Sequence, residues 1–309
     1  MIEGFIKRNK LKIRSKSKQK KKIMTTKKAK PAKPVHKKEV TMNSSKMMTG
    51  LSILSRNLPN VSPRMTFPEM LLEQALSDKR IKLPPWLFPK TCCRKSQASL
   101  STSEQQRYIC AFNMINADGT LGQLVTLHQG MYMQHGNLYL LPWHRIFLML
   151  FEKALHRYHP DVCIPYWDWN DPDQQEFPSW LSGILPTVNT IGGPITVFRS
   201  PGTSANLAAT VASVPTAMLQ TNYGSFSSPV NGVHGSVHGW VGGTMSGAHS
   251  SPADPVFWLH HANLDRLWWK WYNSPAGNHQ NPVIAGSLAP WTYTEPDTRN
   301  IITLGYNYE

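Results

Sequence analysis

The sequence lacks any apolar run approaching the roughly eighteen residues that a bilayer-spanning helix needs, so none is expected. Cysteine is scarce at four residues in 309, too few for a disulfide-built scaffold and without the paired thiolates of a structural zinc site. No internal repeat is present. No continuous apolar stretch of about seven to fifteen residues follows the basic start, so nothing there reads as a secretory signal, and the expected address leans cytoplasmic. Acidic residues are also few, 18 against 33 Lys and Arg, for a net charge of +15. That excess is not spread along the chain. Residues 1–50 hold seventeen basic residues and two Glu, whereas residues 51–309 hold sixteen of each sign. A nucleic-acid-binding body is therefore not indicated. Residues 1–50 read as a disordered basic tail, too poor in apolar surface to offset its ordering entropy. Such a tail is open to weak contact with polyanions, and Met24, Met42, Met47 and Met48 are alternative starts for a shorter chain. Residues 51–91 form a Pro-containing lead-in, and residues 92–309 form the folded domain.

That domain has the apolar content to build a core, with 40% hydrophobic residues and eleven Trp in the whole chain. Tyr108, Ala111, Phe112 and Ile115 recur at helical spacing and predict a helix over 102–116. Ser101, Thr102 or Ser103 would cap it, with Gln105 or Gln106 reaching back. Cys110 within it reads as a small buried hydrophobe. Further helices are expected over 121–129, over 143–158 with Pro142 as the opening residue, over 231–241 and over 255–272. Residues 159–230, rich in Pro, Gly, Ser, Asn and Thr, read as long irregular connections.

Twelve His are present, eleven of them outside the tail. His234 and His238 lie four apart, so on a helix both imidazoles project from one face. His260 and His261 are adjacent in an apolar, aromatic segment, and His128, His135 and His144 follow one another over two predicted helices and a loop. The HxxxH pair lacks the Glu of HExxH, so a zinc protease is not indicated. Three neutral imidazoles suit copper, zinc or iron and leave coordination positions open. Two such groups on facing helices would form a binuclear centre.

The stretches LVTLHQG and HGNLYLLPWHRIFLMLFEKAL resemble the first copper motif of tyrosinases, catechol oxidases (polyphenol oxidases) and molluscan haemocyanins. HGSVHGWVGG followed by SPADPVFWLHHANLDRLW resembles their second. PYWDWNDP and LGYNY match the common core as well, and the likeness runs from about Cys93 to Tyr308. It implies a mainly α fold in which a four-helix bundle holds a binuclear copper site, with long irregular loops and few short strands. By position, His128, His135 and His144 would hold one copper ion, and His234, His238 and His261 the other. His260 would pack beside them. No catalytic residue beyond these ligands is implied. Asp265 has two readings, orienting a ligand imidazole or pairing with Arg145 or Arg266. Trp143, Phe147, Phe257 and Trp258 would pack around the ligands, and the loop from Gly242 to Pro252 would shape access.

The implied activity is oxidation of o-diphenols to o-quinones with dioxygen as co-substrate, accompanied by weaker hydroxylation of monophenols such as tyrosine. The reason for the second clause is local. Gly235 stands where the family often has Asn, Ser225 stands near the place of a helpful acid, and no Asp or Glu lies between Glu176 and Asp254. The competing expectations are a haemocyanin-like dioxygen carrier, and a non-catalytic protein that binds polyanions through its tail.

Overall fold

The computed structural model describes residues 91–130 and 134–309. The basic tail 1–50 and the lead-in up to residue 90 lie outside the described residues. The described part is mainly helical. Seven α-helices are labelled in chain order: α1 (Thr102–Ala117), α2 (Thr120–Gly130), α3 (Leu140–His156), α4 (Ser204–Val211), α5 (Val214–Met218), α6 (Tyr223–Val241) and α7 (Pro255–Tyr272). Four short strands join them: β1 (Cys92–Arg94), β2 (Thr187–Thr190), β3 (Gly193–Thr196) and β4 (Tyr306–Tyr308). No helix among the described residues is long and apolar enough to cross a membrane.

Helix α1 starts on a capping box at Ser101, but the residue reaching back is Glu104 rather than Gln105 or Gln106. Its carboxylate accepts from both the Ser101 N–H and hydroxyl at 2.8 Å, a charge-assisted geometry that an amide matches less well. The buried stripe is Tyr108, Ala111, Phe112 and Ile115. Cys110 lies off that stripe and is exposed, which corrects its reading as a buried hydrophobe. Helix α3 begins at Leu140, so Pro142 is its third residue, still within the turn whose N–H groups have no helical acceptor. Asp254 caps α7 through the Val256 N–H at 2.9 Å, and Pro255 opens it.

Helix α6 begins eight residues before its expected start because Asn222 caps it on the Ser225 N–H at 2.8 Å. Pro229 sits inside it. The ring removes one ladder hydrogen bond, and packing of Tyr223, Phe226 and Val230 into the core holds the turn together. The expected irregular stretch also contains α4, α5 and the antiparallel β2–β3 hairpin, in which Val188 pairs with Ile195. Gly122 on α2 lies against that hairpin so closely that a Cβ would meet the Asn189 carbonyl oxygen at 1.9 Å.

The core runs between α3 and α7. Phe151 and Trp258 stack face to face at 3.7 Å, and the Arg145 guanidinium lies 3.7 Å above the Trp268 ring. At one edge, β1 pairs in parallel with β4, Cys92 opposite Tyr306, and Cys92 is disulfide-bonded to Cys163 across 71 positions. A crosslink closing a loop of that length restricts the unfolded chain by about 4 kcal/mol in the loop-entropy picture.

Candidate metal centre

Helices α2, α3, α6 and α7 bring the histidines together in two clusters: His128, His135 and His144; and His234, His238, His260 and His261. In each, one ring nitrogen per residue lies within 4.8 Å of the others. His128 lies in the last turn of α2, His144 sits on the inner face of α3, and His135 lies in the turn between them. Asn231 on α6, with its amide turned so that the oxygen faces two donors, accepts from the N–H groups of Gly136 and Asn137 at 3.1 and 3.2 Å. Tyr223 donates to the Leu138 carbonyl at 3.0 Å. These bonds tie the His135 turn to α6, and the His135 and His234 rings lie 5.8 Å apart. The clusters meet most closely where His144 stacks on His261, with centroids 4.2 Å apart.

The hydrogen bonds fix which nitrogen of several rings is free. Nδ1 of His144 donates to the Leu140 carbonyl, Nδ1 of His128 to that of Ala248, and Nδ1 of His238 to that of Met245, each at 2.8 Å. A neutral imidazole carries one proton, so in all three Nε2 is left as a lone pair. These rings are neutral. Burial, reinforced by neighbouring imidazoles, holds His128, His144, His234 and His261 well below the ordinary imidazole pKa. Burial holds His238 at about 4. Nε2 of His128 and Nε2 of His144 then face one another at 3.3 Å with no proton between them. Nε2 of His238 and Nε2 of His261 are also 3.3 Å apart, and Nε2 of His234 is buried with no partner among the described residues. The opposed lone pairs of His128 and His144 repel unless a cation lies between them. Nitrogens about 2.0–2.1 Å from a shared ion at tetrahedral angles sit roughly 3.3–3.4 Å apart. The donor set therefore fits a metal ion in each cluster.

His260 is the exception. The indole N–H of Trp169 donates to its Nδ1 at 3.0 Å, and since that donor has no other role, Nε2 must carry the imidazole proton. Neither nitrogen of His260 has a lone pair to spare. PYWDWNDP thus acts from behind α7, with Trp169 on His260 and Asp168 paired to Arg266 at 2.8 Å. That partnership, and the carbonyls of Met245, Ala248 and Leu140, were not visible in the sequence because backbone acceptors leave no residue signature. Of the two readings of Asp265, the ion pair holds. It accepts from Arg145 Nε at 2.5 Å and from the hydroxyls of Tyr306 and Tyr308 at 2.7 and 2.6 Å.

Trp143, Phe147, Phe257 and Trp258 are fully buried. Phe257 lies 5.3 Å from His128 and 4.2 Å from His261, ring centre to ring centre, and walls off both clusters from below. On the other side His135 and His238 are partly exposed. Gly235 and Gly239 beside them are exposed, with nothing within 4 Å of where a Cβ would stand.

The model of the common central domain of tyrosinase matches residues 101–190 and 194–274. The chain is 30% identical to the tyrosinase of Streptomyces antibioticus over 257 residues, 66% of this chain and 94% of that protein. Its fold is similar to a functional unit of Octopus hemocyanin, with TM-score 0.59, 23% identity, and coverage of 71% of this chain and 68% of that one. It is also similar to the tyrosinase of Burkholderia thailandensis, with TM-score 0.57, 20% identity, and coverage of 72% and 74%. With two clusters of histidine nitrogens gathered at metal-ligand spacing, the chain belongs to the tyrosinase family of type 3 proteins, which bind two copper ions through histidines and use dioxygen.

Proposed function

We propose that the protein oxidises o-diphenols to o-quinones with dioxygen as the electron acceptor. His128, His135 and His144 would hold one copper, and His234, His238 and His261 the other. When bound, the two coppers supply one-electron redox steps that add to the two electrons a catechol gives up.

The remaining work is done by the chain. Carbonyls of Leu140, Ala248 and Met245 hold three of the rings in the tautomer that offers Nε2. Phe147 and Phe257 exclude water from the buried side. On the open side, His135 and His238 are partly exposed, and the neighbouring Gly235 and Gly239 add no side chain that would cover them. That exposure of a histidine in each cluster is the observation that carries the reading as an enzyme, because a carrier needs access for dioxygen alone.

Hydroxylation of monophenols is the weaker activity. Removing the proton of a monophenol calls for a base near the rings. The buried carboxylates of Glu152, Asp254, Asp265 and Glu295 are each paired to an arginine, with Arg94, Arg199, Arg145 and Arg299 respectively. The test is copper content together with turnover of L-DOPA and L-tyrosine on one preparation. Two coppers per chain with rapid L-DOPA oxidation and slow L-tyrosine turnover support the proposal. Reversible dioxygen binding with no diphenol turnover would instead make the protein a carrier.

A further inference from the structure

An open surface groove of about 370 Å³ lies away from the histidines, lined by residues from the 168–175 segment, α4, α5, the turn between them, and α7. On α7 it takes Arg266, Leu267 and Lys270, which fall on the side of the helix opposite His261. The site is built and electrically unbalanced. Asp168 is its one acid, against Arg266 and Lys270. Arg266 is 7% exposed. Its Nη1 is used by Asp168 at 2.8 Å and Asn263 at 3.2 Å, while its Nε is buried with no acceptor among the described residues. A buried guanidinium N–H without an acceptor is uncommon, and this guanidinium also lies 4.2 Å from the Tyr166 ring centre. Lys270 has no ion-pair partner among the described residues, and burial, then the charge of Arg266, lowers its ammonium pKa. Opposite the cations the wall is aliphatic, with Val211, Ala212, Val214, Pro215 and Met218 and no aromatic ring.

We propose that this groove binds a medium-chain aliphatic carboxylate, its head group on Arg266 and Lys270 and its chain along α4 and α5. A carboxylate offsets the surplus positive charge of Arg266 and Lys270. The absence of aromatic lining favours a flexible alkyl chain over a phenolic acid. At ~30 Å³ per water-sized group the groove takes roughly a dozen, which accommodates the about ten heavy atoms of octanoate.

The experiment is a calorimetric titration of the copper-loaded full chain with octanoate and with octanamide, repeated on Lys270→Gln and Ala212→Trp. Octanoate is expected to bind saturably at one site, octanamide and the Lys270→Gln variant to show binding weaker by about tenfold or more, and Ala212→Trp to show none. Lys270 is exposed and remote from the histidines, so Lys270→Gln keeps its diphenol turnover and copper spectrum. Equal binding of octanoate and octanamide would overturn the proposal, as would no saturable binding. Octanoate binding that perturbs the copper spectrum and is indifferent to Lys270→Gln would place the ligand on the metals and overturn it too.

Discussion

Met245 and Ala248, three residues apart in one loop, each present a carbonyl oxygen to a histidine of a different cluster, at 2.8 Å to His238 and 2.8 Å to His128. One short segment thus sets the tautomer of a ring on each side of the centre. The loop is pinned from within by Ser250, whose hydroxyl donates to the Thr244 carbonyl at 2.7 Å. It leaves α6 through Gly242 and Gly243, both at positive φ, and a Cβ on Gly243 would meet the Phe198 carbonyl oxygen at 2.2 Å.

If the loop serves both clusters, loosening it must weaken both together. Ser250→Ala removes the internal tether without touching a histidine. Outer hydrogen-bond partners of metal ligands are commonly worth about 10–100-fold in metal affinity. A loss of around tenfold is expected for both coppers, read by competitive chelation. Loss from one site with the other unchanged would show that the loop does not couple them.

His260 and His261 are adjacent on α7, yet only His261 is expected to hold metal, because Trp169 occupies His260 Nδ1. His261→Ala should retain about one copper per chain and lose diphenol turnover. His260→Gln should retain both coppers but lose roughly 1–3 kcal/mol of stability, since the Trp169 N–H is left buried without its acceptor. Metal analysis and urea unfolding on the two variants check this. One copper in His260→Gln and two in His261→Ala would reverse the assignment.

How far the chain could be read in advance depended on the kind of interaction. The span of α7 was legible to its termini, because Asp254, Pro255 and an unbroken apolar face mark a helix by local rules alone. The start of α6 was not, since Pro229 and four glycines argue against a helix and only burial of Tyr223, Phe226 and Val230 overrides them. His128, His135, His144, His234 and His238 stood out by spacing, His261 was chosen over His260 by the family resemblance, and all six fall within the two clusters. The role of His260 did not, because it depends on Trp169, ninety-one residues earlier in the chain. The Cys92–Cys163 bond was equally hidden, since four cysteines allow several pairings and only the fold chooses among them.

Asp265 collects Arg145, Arg94 and two tyrosine hydroxyls in a site sealed from solvent. Arg145 follows His144, and Asp265 is one turn beyond His261, so the cluster fastens α3 to α7 behind the two stacked rings. Removing one partner leaves the other charges buried and uncompensated. Asp265→Asn is therefore expected to lose about 3–5 kcal/mol in urea unfolding. Tyr308→Phe, which deletes one hydroxyl and no charge, should lose only about 1 kcal/mol.

The metal-free protein should be acid-sensitive, and the sign follows from the buried rings. His128, His144, His234, His260 and His261 are all held well below the ordinary imidazole pKa, with burial the first cause. The unfolded chain therefore binds protons at these sites while the folded chain still refuses them. Their neutral burial is free of penalty above about pH 6.5, and stability falls as pH drops below it. The melting temperature of metal-free protein should fall steeply from pH 7 to pH 5, and copper loading at pH 7 should raise it. A flat profile over that range would mean that the rings are hydrated in solution.

Gly235 decides the last expectation, the balance between diphenols and monophenols. It follows His234 on α6, is exposed, and has open space where a side chain would begin, so substitution there meets no steric obstacle. Gly235→Asp places a carboxylate beside His234, next to rings that are neutral and in a domain whose buried acids are all paired. A positioned general base typically accelerates proton removal by about 10²–10⁴-fold, and a surface carboxylate with imperfect aim delivers less. The ratio of L-tyrosine to L-DOPA turnover is expected to rise by on the order of tenfold in Gly235→Asp. Gly235→Ala, which gains roughly 0.5–1 kcal/mol of helix stability and no base, should leave the ratio where it was. If both variants shift the ratio equally, filling the space beside His234 matters and the missing base does not. If the unaltered protein already turns over the two substrates at the same rate, proton removal from monophenols proceeds without a carboxylate at this position.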